Sequence, residues 1–303
     1  MASKKWGRNI TNGCYRPCGA GTAFPPLCGS KSAPKPGVIF QNLKHMKQII
    51  IPSEDLVKEM KPSSEYDEEN PYKQYASNGK NIYFNEEDIL EGADPETFLF
   101  YLGGFAKDKK YCWNGAQRIS GADPSSFHAL SNTFYKDKNH VYYLMGSLKE
   151  ADSSTFEACD EGRKINYGCN LLTPYGYGKD ANNVFYYDFQ GKAKIVRKAN
   201  PQNFVSLNDG VFGKDDDFVF CGASVLQKVE VESWEKLGGY YSKDKRNVFY
   251  YNRIIKEADR DTFEVVIPKD GFSQLAKDKN NRYLNDVVVG ESGRDYDRWH
   301  KNE

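Results

Sequence analysis

The sequence has few histidines, no net charge and no long hydrophobic run, and each of these absences narrows the possible functions. Lys and Arg together number 42, as do Asp and Glu, so the formal net charge is zero. A balanced chain has no general attraction to nucleic acid or to an anionic membrane. No stretch approaches the roughly 18 apolar residues of a transmembrane helix. We therefore expect no nucleic-acid partner and no membrane span.

Motifs for catalysis and for metal binding are lacking as well. The segment GYGKD (176–180) has neither the spacing nor the following helix of a phosphate-binding loop. The spacing of the first three cysteines fits no standard zinc pattern, so free thiols or a disulfide are expected there: Cys14, Cys18 and Cys28. The four histidines occupy no nucleophile, zincin or general-base motif: His45, His128, His140 and His300. The sequence predicts no catalytic residue, no metal and no cofactor.

No apolar segment follows the basic residues of the first 13 positions, MASKKWGRNITNG. A secretory signal has such a segment, so the expectation is a cytoplasmic protein, or a periplasmic or secreted one if a signal has been removed. The chain has seven cysteines, an odd number that leaves at least one thiol free. Cys159 and Cys169 could close a disulfide in an oxidising compartment.

Two short motifs alternate along most of the chain. The first is aromatic-x-Lys-Asp, a few polar residues and an apolar-aromatic run, with a weaker copy at YASNGKNIYF (75–84). Its clear copies are FAKDKKYCW (105–113), FYKDKNHVYY (134–143), YGKDANNVFYY (177–187), FGKDDDFVF (212–220), YSKDKRNVFYY (241–251) and LAKDKNNRYL (275–284). The polar residues favour a tight turn and the aromatic run a return strand, so each copy predicts a β-hairpin.

The second motif resembles Ala-Asp-Pro-x-Thr-Phe and ends in an aromatic residue. The final aromatics are Phe98, Phe127, Phe156, Phe204, Trp234 and Phe263, at spacings of 29, 29, 48, 30 and 29. So constant a step predicts a tandem repeat, interrupted by an insertion at about 157–176. Asp94 and Asp123 are typical N-cap residues, as is Asn200, which predicts about one helical turn that ends in an aromatic plug between units.

A single hairpin is marginal in water, so units this small must bury their aromatic faces against one another. The predicted fold is mainly β, with about six to seven hairpin and helical-turn repeats stacked into one elongated or curved domain. Propeller-like closure is the alternative, although 29 residues are few for a blade. We assign 1–70 to a non-repeat arm and linker, 71–290 to the repeats and 291–303 to a polar C-terminal tail.

The segments KDKNHVYY (136–143), KDANNVFYY (179–187) and KDKRNVFYY (243–251) resemble the DKNYY repeat family of bacterial proteins. The resemblance extends to the ADPETF-type motif between them and covers roughly residues 75–290. It implies a bacterial origin and a repeat fold. It implies no activity and no site, because the family has no established function.

These observations favour a non-catalytic, protein-binding scaffold, with an immunity or inhibitor protein that neutralises a bacterial toxin or effector as the leading hypothesis. The insertion is the candidate contact surface, because insertions in repeats often map to the binding face and Tyr and Arg are enriched in interfaces. Its candidate residues are Arg163, Tyr167, Tyr175 and Tyr177. A cell-envelope structural or adhesion protein is one alternative, and an enzyme with a cleft formed by several repeats is the other.

Overall fold

A computed structural model describes residues 61–62, 75–77, 79–84, 88–100, 104–166, 169–172, 175–269 and 273–302. The predicted N-terminal arm lies outside these residues, except for the short strand β1 (Lys61–Pro62). Cys14, Cys18 and Cys28 are therefore among the positions that lie outside the described residues.

Seven small antiparallel sheets follow one another along the chain, and we number them as units 1 to 7. Unit 1 has β2 (Tyr75–Ser77), β3 (Ile82–Phe84) and β4 (Asp88–Ile89), and unit 2 has β5 (Leu99–Phe100), β6 (Phe105–Lys107), β7 (Cys112–Asn114) and β8 (Gln117–Arg118), with β1 paired to β5. Unit 3 has β9 (His128–Ala129), β10 (Tyr135–Lys136), β11 (Val141–Tyr143) and β12 (Gly146–Ser147). Unit 4 has β13 (Glu157–Ala158), β16 (Gly176–Lys179), β17 (Val184–Tyr187) and β18 (Lys194–Ile195), and a separate hairpin of β14 (Arg163–Asn166) and β15 (Cys169–Leu172).

The last three units repeat the four-stranded pattern. Unit 5 has β19 (Val205–Ser206), β20 (Phe212–Lys214), β21 (Val219–Cys221) and β22 (Ser224–Val225), and unit 6 has β23 (Glu235–Gly238), β24 (Tyr241–Lys243), β25 (Val248–Tyr250) and β26 (Arg253–Ile254). Unit 7 has β27 (Glu264–Val266), β28 (Leu275–Lys277), β29 (Arg282–Leu284) and β30 (Val287–Val288). The predicted hairpin is thus the centre of a meander, with one further strand on each side.

Both faces of an inner sheet are buried, because side chains alternate along a strand and a neighbouring unit covers each face. In unit 2, Phe105 and Cys112 belong to the core shared with unit 3, whereas Ala106 and Trp113 belong to the core shared with unit 1. This alternation explains why the motif is apolar at adjacent positions instead of alternating with polar residues. Stability therefore depends on stacking.

The predicted aromatic plugs lie between consecutive units. All six are at least nine-tenths buried, and each belongs to a core that combines two neighbouring sheets. The Phe204 ring, for example, has its centroid 5.0 Å from that of Tyr177 in unit 4 and 5.8 Å from that of Phe220 in unit 5. The predicted stacking contact is confirmed.

The C-terminal residues differ from the predicted polar tail. Residues Arg294–Asn302 form helix α1, whose Trp299 side chain is completely buried with Leu275 and Leu284 of unit 7. The Trp299 indole N–H donates a hydrogen bond to the carbonyl oxygen of Tyr283 at 3.2 Å. Helix α1 thereby covers the face that would otherwise receive the plug of another unit, as the cap of a repeat array does.

The mainly β repeat fold is confirmed, and the apolar cores of the described residues join only consecutive units, which describes an open array. The predicted helical turn is a single turn in units 2 to 7. Among the residues described, it is a 3-10 helix only at Val231–Ser233. The predicted insertion at 157–176 is only part of the extra length. From the plug to the Asp of the Lys-Asp motif there are 10 positions in unit 3 (Phe127 to Asp137) and 24 in unit 4 (Phe156 to Asp180). The third-to-fourth-strand connection also lengthens, to residues 188–193.

The x position of the aromatic-x-Lys-Asp motif packs against the plug of its own unit. A Cβ atom on Gly213 would overlap the Phe204 ring, and one on Gly178 would overlap the Phe156 ring. We expect Gly213→Val to lower the free energy of unfolding by about 1–3 kcal/mol, because the core must shift to admit the side chain. Urea denaturation tests this, with Gly290→Val as the control because its Cβ would have no neighbour closer than 3.8 Å. Equal stability of the two variants would contradict the packing described.

Candidate binding surface

The two ends of the strands in each unit have different roles. At one end lie the Lys-Asp turn and the turn that carries the plug, and we call this the turn edge. At the other end lie the connections from the first to the second strand and from the third to the fourth, and we call this the loop edge. The meander order places them on opposite sides of every four-stranded sheet.

The repeated Asp ties the turn edge together. One carboxylate oxygen of Asp108 accepts hydrogen bonds from the backbone N–H groups of Lys110 at 2.6 Å and Tyr111 at 2.7 Å. Its other oxygen accepts the backbone N–H of Asp94 in the plug turn at 2.7 Å. The same three bonds recur at Asp137, Asp180, Asp215, Asp244 and Asp278. This carboxylate therefore has a structural role in units 2 to 7.

The lysine before this Asp bonds forward to the next plug turn in units 2, 3 and 4. Lys107 Nζ donates to the carbonyl oxygens of Pro124 at 3.1 Å and Phe127 at 2.8 Å, and Lys136 Nζ does the same at Ser153 and Phe156. In unit 4, Lys179 Nζ donates to the carbonyl oxygen of Phe204 at 3.3 Å. Three of these lysines have an ion pair to a first-strand Glu: Lys179–Glu157, Lys243–Glu235 and Lys277–Glu264. In most units, therefore, the Asp bonds to the plug turn of its own unit and the Lys bonds to the next plug turn or to a first-strand Glu.

Ion pairs match the charges at the turn edge in units 2, 3, 6 and 7. Lys109 lies 2.5 Å from the carboxylate of Asp94, and its ammonium group holds the pKa of Asp94 below the usual value. Equivalent ion pairs are Lys138–Asp123, Lys245–Glu230 and Lys279–Asp259. In unit 5, Asp216 replaces the corresponding lysine, and the neutral Asn200 replaces the capping acid. The Asn203 side-chain amide donates to the Asp216 carboxylate. The substitution avoids a repulsive acidic pair.

The loop edge of unit 4 has the largest additions in the array, although the first-to-second-strand connection of unit 7, residues 267–274, is also longer than those of units 2, 3, 5 and 6. It has the β14–β15 hairpin between the first and second strands, and the six-residue connection 188–193 between the third and fourth. The equivalent third-to-fourth connections of units 2, 3, 5, 6 and 7 have two residues, for example Gly222 and Ala223 in unit 5. Both additions lie at the same edge of the same sheet, so unit 4 carries a double extension there.

The base of the hairpin is anchored to unit 5 by Asp160. This buried carboxylate accepts hydrogen bonds from the Ser206 hydroxyl at 2.8 Å and from the backbone N–H groups of Tyr177 at 2.5 Å and Gly210 at 3.2 Å. Burial, with a smaller contribution from the nearby charge of Asp209, raises the pKa of Asp160 to about 6. The anchor belongs to the folded scaffold, and the sequence analysis did not identify it.

A second contact fixes the base of the same hairpin. The Glu161 backbone N–H donates to the Asn208 side-chain oxygen at 2.8 Å. Asp209, next in the chain, forms an ion pair with Lys236 of unit 6 at 2.5 Å. The hairpin therefore leaves the array beside a short segment, 208–210, that bonds to units 4 and 6 on its two sides.

The four predicted contact residues have different positions in the structure. Tyr177 is completely buried, and its hydroxyl lies 2.8 Å from the carbonyl oxygens of both Val211 and Gly222. The prediction that Tyr177 contacts a partner is therefore wrong, because it is the core aromatic of an aromatic-x-Lys-Asp motif. Tyr175 is half-buried against the core of units 5 and 6. Arg163 lies on β14, and Tyr167 lies outside the described residues.

Cys159 is a free thiol that is partly buried beside the Tyr177 and Phe204 core, whereas Cys169 lies on β15. Cys159 has no disulfide in this structure, so the bridge to Cys169 stays a prediction for an oxidising compartment. Burial raises the pKa of the Cys159 thiol to about 12.

Because only a thiolate reacts with iodoacetamide, native Cys159 should be labelled at pH 8 more than about 100-fold more slowly than in urea. Its native rate should rise with pH, since the thiolate fraction grows toward pH 12. Peptide mass spectrometry measures both rates. Fast native labelling would contradict the buried thiol, and a lack of labelling in urea without reductant would indicate the Cys159–Cys169 disulfide.

Within the described residues, no three His, Cys, Asp or Glu side chains are grouped so that they could hold a metal ion. No helix within the described ranges has the length and apolar character needed to cross a bilayer.

Comparisons with known proteins agree with the repeat architecture. Searches of curated proteins and of solved structures find no match. The family model described as the DKNYY family matches residues 105–287, which is more than half of the chain and spans units 2 to 7. The chain therefore belongs to the DKNYY family.

Proposed function

We propose that this protein is a non-catalytic scaffold that binds another protein through the loop edge of unit 4. The observation that carries this proposal is the double extension at that edge. Two separate insertions enlarge one side of one unit, while the turn edge of units 2 to 7 keeps its hydrogen-bonding pattern. In repeat proteins such insertions commonly map to the binding face.

The polar chemistry of the chain supports a scaffold over an enzyme. The acid that recurs in the six clear motif copies is bonded to the backbone, since its carboxylate accepts N–H groups from its own turn and from the plug turn. A group that appears once per unit with the same bonds holds the fold together, whereas a catalytic acid needs a unique environment.

Site-specific photo-crosslinking in the native host tests the binding edge. A benzophenone side chain at Lys192, which is exposed in the 188–193 connection, should yield a discrete crosslinked protein. The same group at Lys110, which is exposed on the turn edge, is the control and should not. Equal crosslinking at both positions, or none at Lys192, would contradict the proposal.

Within this class we propose an immunity or inhibitor protein that neutralises a toxin or effector. Co-expression with the products of neighbouring genes tests the idea through growth rescue. The full chain should restore growth, whereas a chain with residues 162–173 replaced by a short Gly-Ser linker should not. Rescue by neither chain, with a partner crosslinked at Lys192, would remove the immunity role and keep the scaffold.

A further inference from the structure

The β14–β15 hairpin is a two-stranded sheet that pairs with no other strand of the described residues. Four residue pairs join its strands, from Arg163 opposite Leu172 to Asn166 opposite Cys169. An isolated two-stranded hairpin is marginal in water, and each outer edge presents backbone N–H and C=O groups to a further strand. The hairpin is therefore suited to gain a third strand from outside the chain.

The attachment of the hairpin holds it in place for such a strand. Asp160 and Glu161, just before β14, bond to the 206–210 segment of unit 5. On the return side, a Cβ on Gly210 would lie 2.7 Å from the Tyr175 ring, so this ring packs directly on the same segment. Both ends of the insertion are thus fixed at one place, which lowers the entropy that binding must overcome.

The positive charge of the hairpin indicates the charge of the strand that would pair with it. Residues 163–172 contain Arg163 and Lys164 and no acidic residue. Both basic residues lie on β14, so two copies of this strand would repel each other if they paired, as basic residues on edge strands commonly prevent such pairing. An acidic strand placed beside β14 would instead be attracted.

We infer that β14 binds an extended acidic segment of the partner protein as a third, edge-added strand. This inference rests on the proposed function, since it names the part of the partner that the unit 4 surface recognises. Backbone hydrogen bonds to β14 supply the affinity, and the positive charge of Arg163 and Lys164 supplies the preference for acidic sequences.

A phage-displayed library of random 12-residue peptides, selected on the purified full chain, tests the inference without knowledge of the partner. Selected peptides should be acidic and extended. Binding, measured by fluorescence anisotropy, should weaken at least tenfold in the Arg163→Glu/Lys164→Glu variant, and backbone N-methylation of the peptide should abolish it. Hydrogen exchange should slow at the β14 amides when peptide is bound.

The control variant Lys149→Glu/Arg197→Glu changes the charge equally at two exposed positions outside the hairpin and should keep full affinity. Peptides without net negative charge, equal binding to both variants, or no selected peptide would overturn the inference. These outcomes leave the photo-crosslink at Lys192 unaffected, so a failed hairpin inference and a failed binding scaffold can be told apart.

Discussion

Replacing Phe204 by Ala is expected to lower the free energy of unfolding by about 3–5 kcal/mol, because it empties a fully packed space between units 4 and 5. The ring is 2% exposed and contacts Tyr177 on one side and Phe220 on the other. Urea denaturation followed by far-ultraviolet circular dichroism measures the change.

The neighbouring Val205 is the matched control, since it is 59% exposed. Its replacement by Ala should change stability by no more than about 0.5 kcal/mol. Similar losses for Phe204→Ala and Val205→Ala would show that the plug is not the contact between units.

Removing the carboxylate of Asp244 should have an effect of comparable size. This side chain is completely buried and accepts the backbone N–H groups of Arg246, Asn247 and Glu230. Asp244→Ala leaves three donors without a partner and should cost about 3–5 kcal/mol, since each buried unsatisfied group costs about 1–3 kcal/mol.

Asp244→Asn separates the two oxygens of this carboxylate. The amide keeps one oxygen for Arg246 and Asn247 but places an NH2 group toward the Glu230 N–H, so the loss should be about 1–3 kcal/mol. Thermal unfolding of both variants compares them. If Asn were as harmful as Ala, the bond to the plug turn would dominate, which would contradict a stabilising role for both oxygens.

The repeat and its hairpins could be predicted from the sequence because they are local. A fixed step between aromatic plugs, turn residues after Lys-Asp and capping residues such as Asp94 each act over a few positions. The plug between units also followed, since a hairpin of this size must bury its aromatic face on a neighbour.

The bonds that join the motifs could not be predicted, because they connect residues distant in sequence. The carboxylate of Asp108 reaches back 14 residues to Asp94, and Lys107 reaches forward 20 residues to Phe127. Asp160 bonds to Gly210 over 50 residues. Each pair is brought together only by the stacking of sheets.

Tyr177 falls next to the insertion when its length is measured from plug to plug, and this explains its wrong assignment to the partner surface. Its position as the first residue of YGKD (177–180) was the signal for a core role, since Phe212 and Tyr241 hold the same place and are also buried. A lone Trp299 in an otherwise polar segment was the comparable signal for a cap.

The stacking of units explains how the loop edge can vary while the array stays folded. Stability in stacked repeats is a sum over units and their nearest-neighbour interfaces. In this protein those interfaces consist of plugs and of turn-edge bonds, so insertions at the loop edge of unit 4 need not disturb them.

A double-mutant cycle at Phe263 tests the stacking of consecutive units most directly. Its ring centroid is 5.5 Å from that of Tyr241 in unit 6, whereas Phe98 lies between units 1 and 2. We predict a coupling free energy of about 0.5–1.5 kcal/mol between Phe263→Ala and Tyr241→Ala, and additivity between Phe263→Ala and Phe98→Ala. Additivity for the contacting pair would contradict the stacking of units through their plugs.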